Sequence, residues 1–125
     1  MYTVLNDEAT GDSITITKQM DGSKNTVLVV SGNIENEFDS VFSIIDLTTL
    51  VGTPTSLRLD NCAFLLESGL KCKITYKDMP YFIPLEGRGK LELDPFGGLA
   101  GHEIDMTLEG TGMFFIVLDI SKLGV

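Results

Sequence analysis

At 125 residues, 43% of them hydrophobic, the chain has the size of one domain whose apolar core needs no disulfides to fold. Its net charge of −9 argues against nucleic acid and anionic membrane as primary partners, because both bind clustered positive charge, and no apolar run of ~18 residues predicts a membrane span. Residues 1–12 lack the basic and apolar regions of a secretory signal, so we expect the protein to stay in the reducing cytoplasm where it is made, unless it leaves within a larger particle.

Short stretches of alternating apolar and polar residues follow one another along the chain, separated by Gly, Pro, Asp and Asn. Such alternation predicts strands that bury one face, and no window shows helical periodicity with caps. The segment 41–47 could also form a short helix, but its β-branched residues favour a strand. The predicted strands cover residues 13–18, 26–31, 41–47, 55–67, 70–76, 81–86, 89–94, 103–110 and 113–121.

This pattern predicts an all-β protein. We expect a single antiparallel β-sandwich or jelly-roll-like domain of about eight or nine short strands. The domain covers residues 1–125, with residues 1–12 as a candidate extended N-terminal arm.

The two cysteines belong to a predicted hairpin closed by the loop Glu67–Gly69, with Gly69 in the left-handed region. This register pairs Phe64 with Cys72 and makes Cys62 a diagonal neighbour of Cys72, roughly 7–8 Å away at the backbone. A disulfide needs Cα atoms within about 4.4–6.8 Å, and two sulfurs alone do not complete a zinc site. We therefore predict two free, buried thiols.

No stretch of the sequence assembles the groups that a catalytic site needs. His102, the single histidine, has no nucleophile and no orienting carboxylate on its own face. The glycine-rich segment 96–101 leads into a predicted strand, whereas phosphate-cradling loops lead into a helix. The acidic segment 33–39 lacks the alternating spacing of a calcium loop. The sequence therefore predicts a protein that is not an enzyme and that has no cofactor or metal site.

The strand 113–121 suggests one candidate interaction surface. If its even-numbered residues face the core, three apolar residues face the other way: Met113, Phe115 and Val117. An open sheet face of this composition would be an aggregation hazard, so another segment of the chain or another chain should cover it. Both alternatives stay open, and the positive mean hydropathy favours an assembling protein.

A second candidate surface is a stripe of lysines on the strand that carries Cys72. Lys71, Lys73 and Lys77 fall on the face opposite the cysteine. The stripe has two interpretations: an exposed strand face kept soluble by lysine, or a basic surface that meets an acidic partner. The first is the more common arrangement.

Several turns and strands occur in an order that resembles a family of small virion proteins of marine tailed phages. The matching features span about residues 20–124 and are turns and alternating strands rather than catalytic signatures. They are Asp21-Gly22-Ser23, Asp46 with Leu50, Gly69, Leu85-Gly87-Gly89, Pro95-Phe96-Gly97-Gly98, and Leu118 with Lys122.

The resemblance implies a structural protein of the virion, made in the cytoplasm of a host bacterium. Its implied role is a capsid decoration or cement protein that binds the major capsid protein, either as a single chain or as a homo-oligomer such as a trimer. A tail, neck or fibre-base protein with the same fold is the alternative. A carbohydrate-binding module is a remote third, because sugar platforms favour exposed Trp or Tyr, and this chain has no Trp and three Tyr.

Overall fold

The computed structural model describes residues 2–7, 11–36, 41–45, 47–76, 82–93, 99–101 and 103–124. These residues form eleven strands and one short 3-10 helix, Leu47–Thr49. The strands are β1 (Tyr2–Asp7), β2 (Asp12–Asp21), β3 (Asn25–Ile34), β4 (Val41–Ser43), β5 (Ser56–Leu66), β6 (Leu70–Tyr76), β7 (Phe82–Glu86), β8 (Arg88–Glu92), β9 (Leu99–Gly101), β10 (Ile104–Gly110) and β11 (Gly112–Leu123).

The strands form two antiparallel sheets. Seven strands make the larger sheet in the order β1-β2-β3-β11-β5-β8, with β9 also paired to β5, and four make the smaller sheet in the order β4-β10-β6-β7. This arrangement confirms the predicted all-β, antiparallel sandwich. Across the described ranges, no helix has the length and apolarity needed to span a membrane.

Each predicted strand is present, and two strands were not predicted. β1 pairs with β2 at one edge of the larger sheet, so residues of the expected N-terminal arm form part of the sheet. β9 pairs antiparallel with β5. The predicted strand 41–47 is shorter than expected, since β4 ends at Ser43 and the 3-10 helix begins at Leu47.

The core lies between the two sheets and follows from the period-two pattern. On β11, Phe114, Ile116, Leu118 and Ile120 are buried, as the alternation predicted. The inner faces of β6 and β10 supply further buried apolar residues, among them Met106. Burial of these side chains, each worth about 1.5–3 kcal/mol, is the main stabilisation available to a fold without disulfides.

The predicted hairpin between β5 and β6 is wrong. β5 lies in the larger sheet beside β11 and β8, whereas β6 lies in the smaller sheet between β10 and β7. The turn chemistry is nevertheless as expected, because Gly69 has a φ of +97° and the Leu70 N–H donates to the Glu67 carbonyl oxygen at 3.1 Å. Alternation specifies which face of each strand is buried, and a connection that crosses between sheets satisfies it as well as a hairpin does.

Three such connections lie together at one end of the sandwich. β5–β6, β7–β8 and β10–β11 each pass from one sheet to the other within three residues or fewer. The Leu66 N–H donates to the carbonyl oxygen of Gly87 at 2.7 Å, which joins the first corner to the second. A Cβ on Gly110 would lie 1.9 Å from the Gly69 carbonyl oxygen, so the first and third corners are also in close contact.

Both cysteines are free and buried, as predicted, although in a different geometry. Cys62 belongs to β5 and Cys72 to β6, so one thiol comes from each sheet. Burial raises the pKa of Cys62 to about 12. The pKa of Cys72 is raised as well, first by burial and then by the proximity of Cys62.

We expect neither thiol to react with DTNB while the protein is folded, because the thiolate is the reactive species and both pKa values are raised. In urea both thiols should react rapidly and in a ratio of two per chain. Absorbance of the released chromophore, recorded with and without urea at mildly alkaline pH, checks this. Rapid reaction of the folded protein would show that the thiols are accessible.

A buried hydrogen bond joins the two sheets across the core. The Leu59 N–H on β5 donates to the Tyr76 hydroxyl on β6 at 2.9 Å. Next to Leu59 the pairing of β5 with β11 shifts register by one residue, so that Asp60 has no partner opposite it on β11. The tyrosine thus satisfies a backbone donor at the point where the ladder is irregular.

A buried ion pair fixes the end of β11 to the β2–β3 turn. The Lys122 ammonium is 0% exposed and donates to Asp21 Oδ1, to the Gly22 carbonyl oxygen and, at 2.8 Å, to the Val51 carbonyl oxygen. Asp21 Oδ2 accepts the Val51 N–H at 3.1 Å. Burial alone would raise the pKa of Asp21, but the hydrogen bonds from Lys122 and Val51 and the charges of Lys122 and Lys18 outweigh it, so the pKa lies below its usual 3.8.

Candidate interaction surface

The outer face of the larger sheet carries a continuous group of apolar side chains. Residues directly opposite each other in antiparallel strands lie on the same face, so the register identifies the members of this group. We call them the apolar face: Val27, Val29, Ala63, Leu65, Met113, Phe115 and Val117. β11 contributes the middle of the face, between β3 and β5.

The centre of the apolar face is open. Phe115 stands between Ser31 on β3 and Leu65 on β5, and the exposed fractions are 49% for Phe115, 54% for Leu65 and 60% for Met113. These side chains line a groove of about 650 Å³, and Asn33 lines it as well. The predicted outward orientation of Met113 and Phe115 is confirmed, and Val117 is half-buried on the same face.

The two borders of the apolar face differ in chemistry. On the β2 side the border consists of hydroxyl side chains, Ser13, Thr15 and Thr17, opposite residues of β3. On the β8 side it is basic, with Arg88 opposite Leu65 and Lys90 opposite Ala63. Glu92, opposite Asn61 on the same strand, lies 3.3 Å from Lys90. The face therefore has an apolar centre, a neutral polar border and a charged border with two cations and one carboxylate.

The lysine stripe on β6 is not a concentrated basic surface. Lys71 is exposed on the outer side of the smaller sheet, but the register places Glu109 and Glu86 on either side of it. The Lys73 ammonium lies 4.8 Å from the centre of the Phe82 ring. Lys77 lies outside the described residues. Because acidic neighbours flank Lys71, the arrangement favours a solvated strand face over a basic binding surface.

The chemistry-bearing candidates contribute no site within the described part of the chain. In these ranges no group of three or more His, Cys, Asp or Glu side chains is placed to hold a metal ion. His102, residues 37–40 of the acidic segment and residues 96–98 of the glycine-rich segment lie outside the described residues.

Sequence reasoning identified the β11 part of the apolar face and missed its borders. Leu65 and Ala63 alternate with buried residues of β5, so their outward orientation was readable from the sequence. Their position beside Phe115 could not be read from the sequence, because β11 pairs with β5, a strand some 50 residues earlier in the chain. Arg88 enters the surface only through that same non-local pairing.

No protein-family model matches the chain, and no curated protein matches it. Among solved structures, the chain is similar to a cupin superfamily protein from Desulfitobacterium hafniense. The two are 15% identical, with a TM-score of 0.39, and the likeness covers 88% of this chain and 77% of that one. At this distance the likeness says nothing about site or function, and the fold class rests on the strands and their pairing described above.

Proposed function

We propose that the chain is a structural protein of a phage virion and that it binds another virion protein through the apolar face. The observation that carries the proposal is the open group of Phe115, Leu65 and Met113, each about half exposed at the centre of the larger sheet. Monomeric soluble proteins rarely leave large apolar side chains contiguous on a surface unless that surface binds something.

The composition and support of the face suit a protein partner. Aromatic residues, Met and Arg are enriched in the cores of protein interfaces, and this face combines Phe115 and Met113 with Arg88 at its border. Phe115 and Met113 stand on β11, an interior strand of the larger sheet whose other side is packed into the core. A rigid surface of this kind loses little conformational entropy when a partner binds.

The family resemblance supplies the setting for this binding. It implies a decoration or cement protein seated on the major capsid protein, and we adopt that role. A tail, neck or fibre-base position would use the same face on a different partner. The position of the copies on the particle, seen by electron microscopy, separates these two roles.

Replacing Phe115 with aspartate should weaken binding to the particle by about 30-fold or more, since truncating a central apolar anchor typically costs 2 kcal/mol or more. The exposed position means that the fold should tolerate the change, with a loss of unfolding free energy of about 1 kcal/mol or less. The measurement is co-sedimentation of the purified protein with virions from which it has been removed, together with urea unfolding.

The matched control is Phe82→Asp. Phe82 is 50% exposed, like Phe115 at 49%, but it lies on the smaller sheet. We expect the Phe82 variant to bind particles as the unmodified protein does. Equal binding by both variants and the unmodified protein would overturn the proposed use of the apolar face.

A further inference from the structure

We infer that the partner presents a carboxylate beside an apolar side chain, and that Arg88 is the residue that binds this carboxylate. The inference rests on the proposed function and specifies the chemistry of the partner. It commits to a different protein with an acidic, apolar surface rather than to a second copy of this chain.

The position of Arg88 places it beside the open part of the apolar face. Arg88 lies directly opposite Leu65, and Leu65 lies directly opposite Phe115, so Arg88 belongs to the cross-strand row of these two side chains, which are 54% and 49% exposed. Cross-strand neighbours have Cβ atoms about 4.5–5.5 Å apart. A partner side chain seated on Leu65 and Phe115 therefore brings its neighbouring groups within reach of Arg88.

The charge of Arg88 differs in its surroundings from those of neighbouring cations. Arg88 is exposed and has no ion-pair partner among the residues that the structure describes. By contrast, the Arg58 Nε lies 2.7 Å from Asp60 Oδ1, and Lys90 lies 3.3 Å from Glu92. Arg88 is thus available to an incoming group, and a guanidinium offers a planar pair of donors that fits a carboxylate.

The charge at the edge of the apolar face differs from that of the whole chain. The chain carries a net charge of −9, yet the β8 border places Arg88 and Lys90 beside the apolar face, while the β2 border is neutral. Glu67 also lines the groove, but its carboxylate accepts the Met113 N–H at 2.9 Å. On the same face, the carboxylate of Glu92 already faces Lys90, and that of Asp119 accepts a hydrogen bond from Asn61. Complementarity therefore favours a different, acidic partner.

The test compares Arg88→Glu with Phe115→Asp and the control Lys73→Glu in co-sedimentation with virions depleted of the protein. Lys73→Glu makes the same change in charge on the smaller sheet. We expect Arg88→Glu to weaken binding by roughly 10-fold or more, because reversing a charge at a matched border replaces attraction by repulsion. We expect Lys73→Glu to leave binding unchanged. Raising the salt concentration should weaken the unmodified protein more than the Arg88 variant.

A second probe identifies the recognised group. Three synthetic β-hairpin peptides share an apolar face and differ only in one flanking residue, Glu, Gln or Lys. Titrated into the ¹⁵N-labelled protein, the Glu peptide should bind most tightly and the Lys peptide least, with shifts on β5, β8 and β11. Arg88→Glu should reverse this order.

The outcomes separate this inference from the proposed function. If Phe115→Asp loses binding to virions and Arg88→Glu does not, the inference fails and the proposed function stands. If neither variant loses binding, both fail. If the Glu, Gln and Lys peptides bind with the same affinity, the inference is wrong. The inference is also wrong if light scattering shows that the unmodified protein is an oligomer and that Phe115→Asp dissociates it. The apolar face would then bind a second copy of the chain.

Discussion

Replacing Lys122 with methionine is expected to lower the free energy of unfolding by about 3–5 kcal/mol, the typical cost of removing one partner of a buried ion pair. The loss would leave the Asp21 carboxylate, with a side chain only 16% exposed, without its buried ammonium partner. It would also remove the hydrogen bond to the Val51 carbonyl oxygen at 2.8 Å. Typical domains are stable by about 5–15 kcal/mol, so the variant should unfold at a much lower urea concentration.

Lys18→Met is the matched control for this variant. Lys18 lies 3.8 Å from the same carboxylate but is 39% exposed, and exposed pairs contribute about 1 kcal/mol or less. If both lysine variants lose the same small amount of stability, the burial of Lys122 has no energetic weight and the expectation is wrong.

The same ion pair makes a prediction about pH. The folded pKa of Asp21 lies below the unfolded value near 3.8, so its contribution to stability is fully present above pH 3.8 and is lost as the pH falls through the folded pKa. Urea unfolding at a series of acidic pH values should show this loss in the unmodified protein. Lys122→Met should show a smaller loss, because the hydrogen bond and the charge of Lys122, which help to lower the pKa of Asp21, would be gone, while those of Val51 and Lys18 remain.

The second large effect is expected at a sheet corner. Gly110→Ala should destabilise the protein by at least about 2 kcal/mol, because alanine is strained at a φ of +95° and its Cβ would lie 1.9 Å from the Gly69 carbonyl oxygen. The oxygen belongs to the backbone of another corner, so relief requires movement of two connections at once. Thermal or urea unfolding of the variant measures the loss.

Gly87→Ala separates the two causes. Gly87 has a φ of +72°, but a Cβ there would meet no atom within 4 Å. This variant should therefore pay only the conformational cost, about 1 kcal/mol. Equal losses at Gly87 and Gly110 would mean that the contact between the corners contributes nothing.

The sequence predicted which residues are inside more reliably than which strands are neighbours. Period-two alternation placed Ile116 and Leu118 in the core and Phe115 outside, and each of these positions is confirmed. The same pattern, together with the turn at Gly69, predicted β6 as the partner of β5, and this was wrong, because burial on one face is satisfied in either sheet. The loop Glu67–Gly69 has the turn geometry of a three-residue hairpin and yet connects two sheets.

The interaction surface shows the same limit. Met113 and Phe115 could be identified because a single strand carries them in alternation with core residues. Arg88 and Lys90 could not, since their membership depends on pairing with β5, which itself depends on pairing with β11. The Lys71 stripe was visible as a pattern, but its neutralising neighbours, Glu86 and Glu109, come from two other strands.

The position of β11 in the chain has a consequence for synthesis. β11 lies between β3 and β5 in the larger sheet and follows every other described strand in sequence. Until residues 112–123 have left the ribosome, the larger sheet can exist only as two separate pieces, β1-β2-β3 and β5 with β8 and β9. Their joining waits for residues 112–123 to emerge from the exit tunnel. Until then the apolar flanks of β3 and β5 have no permanent neighbour, so we expect the nascent chain to be a better client for chaperones than the finished protein.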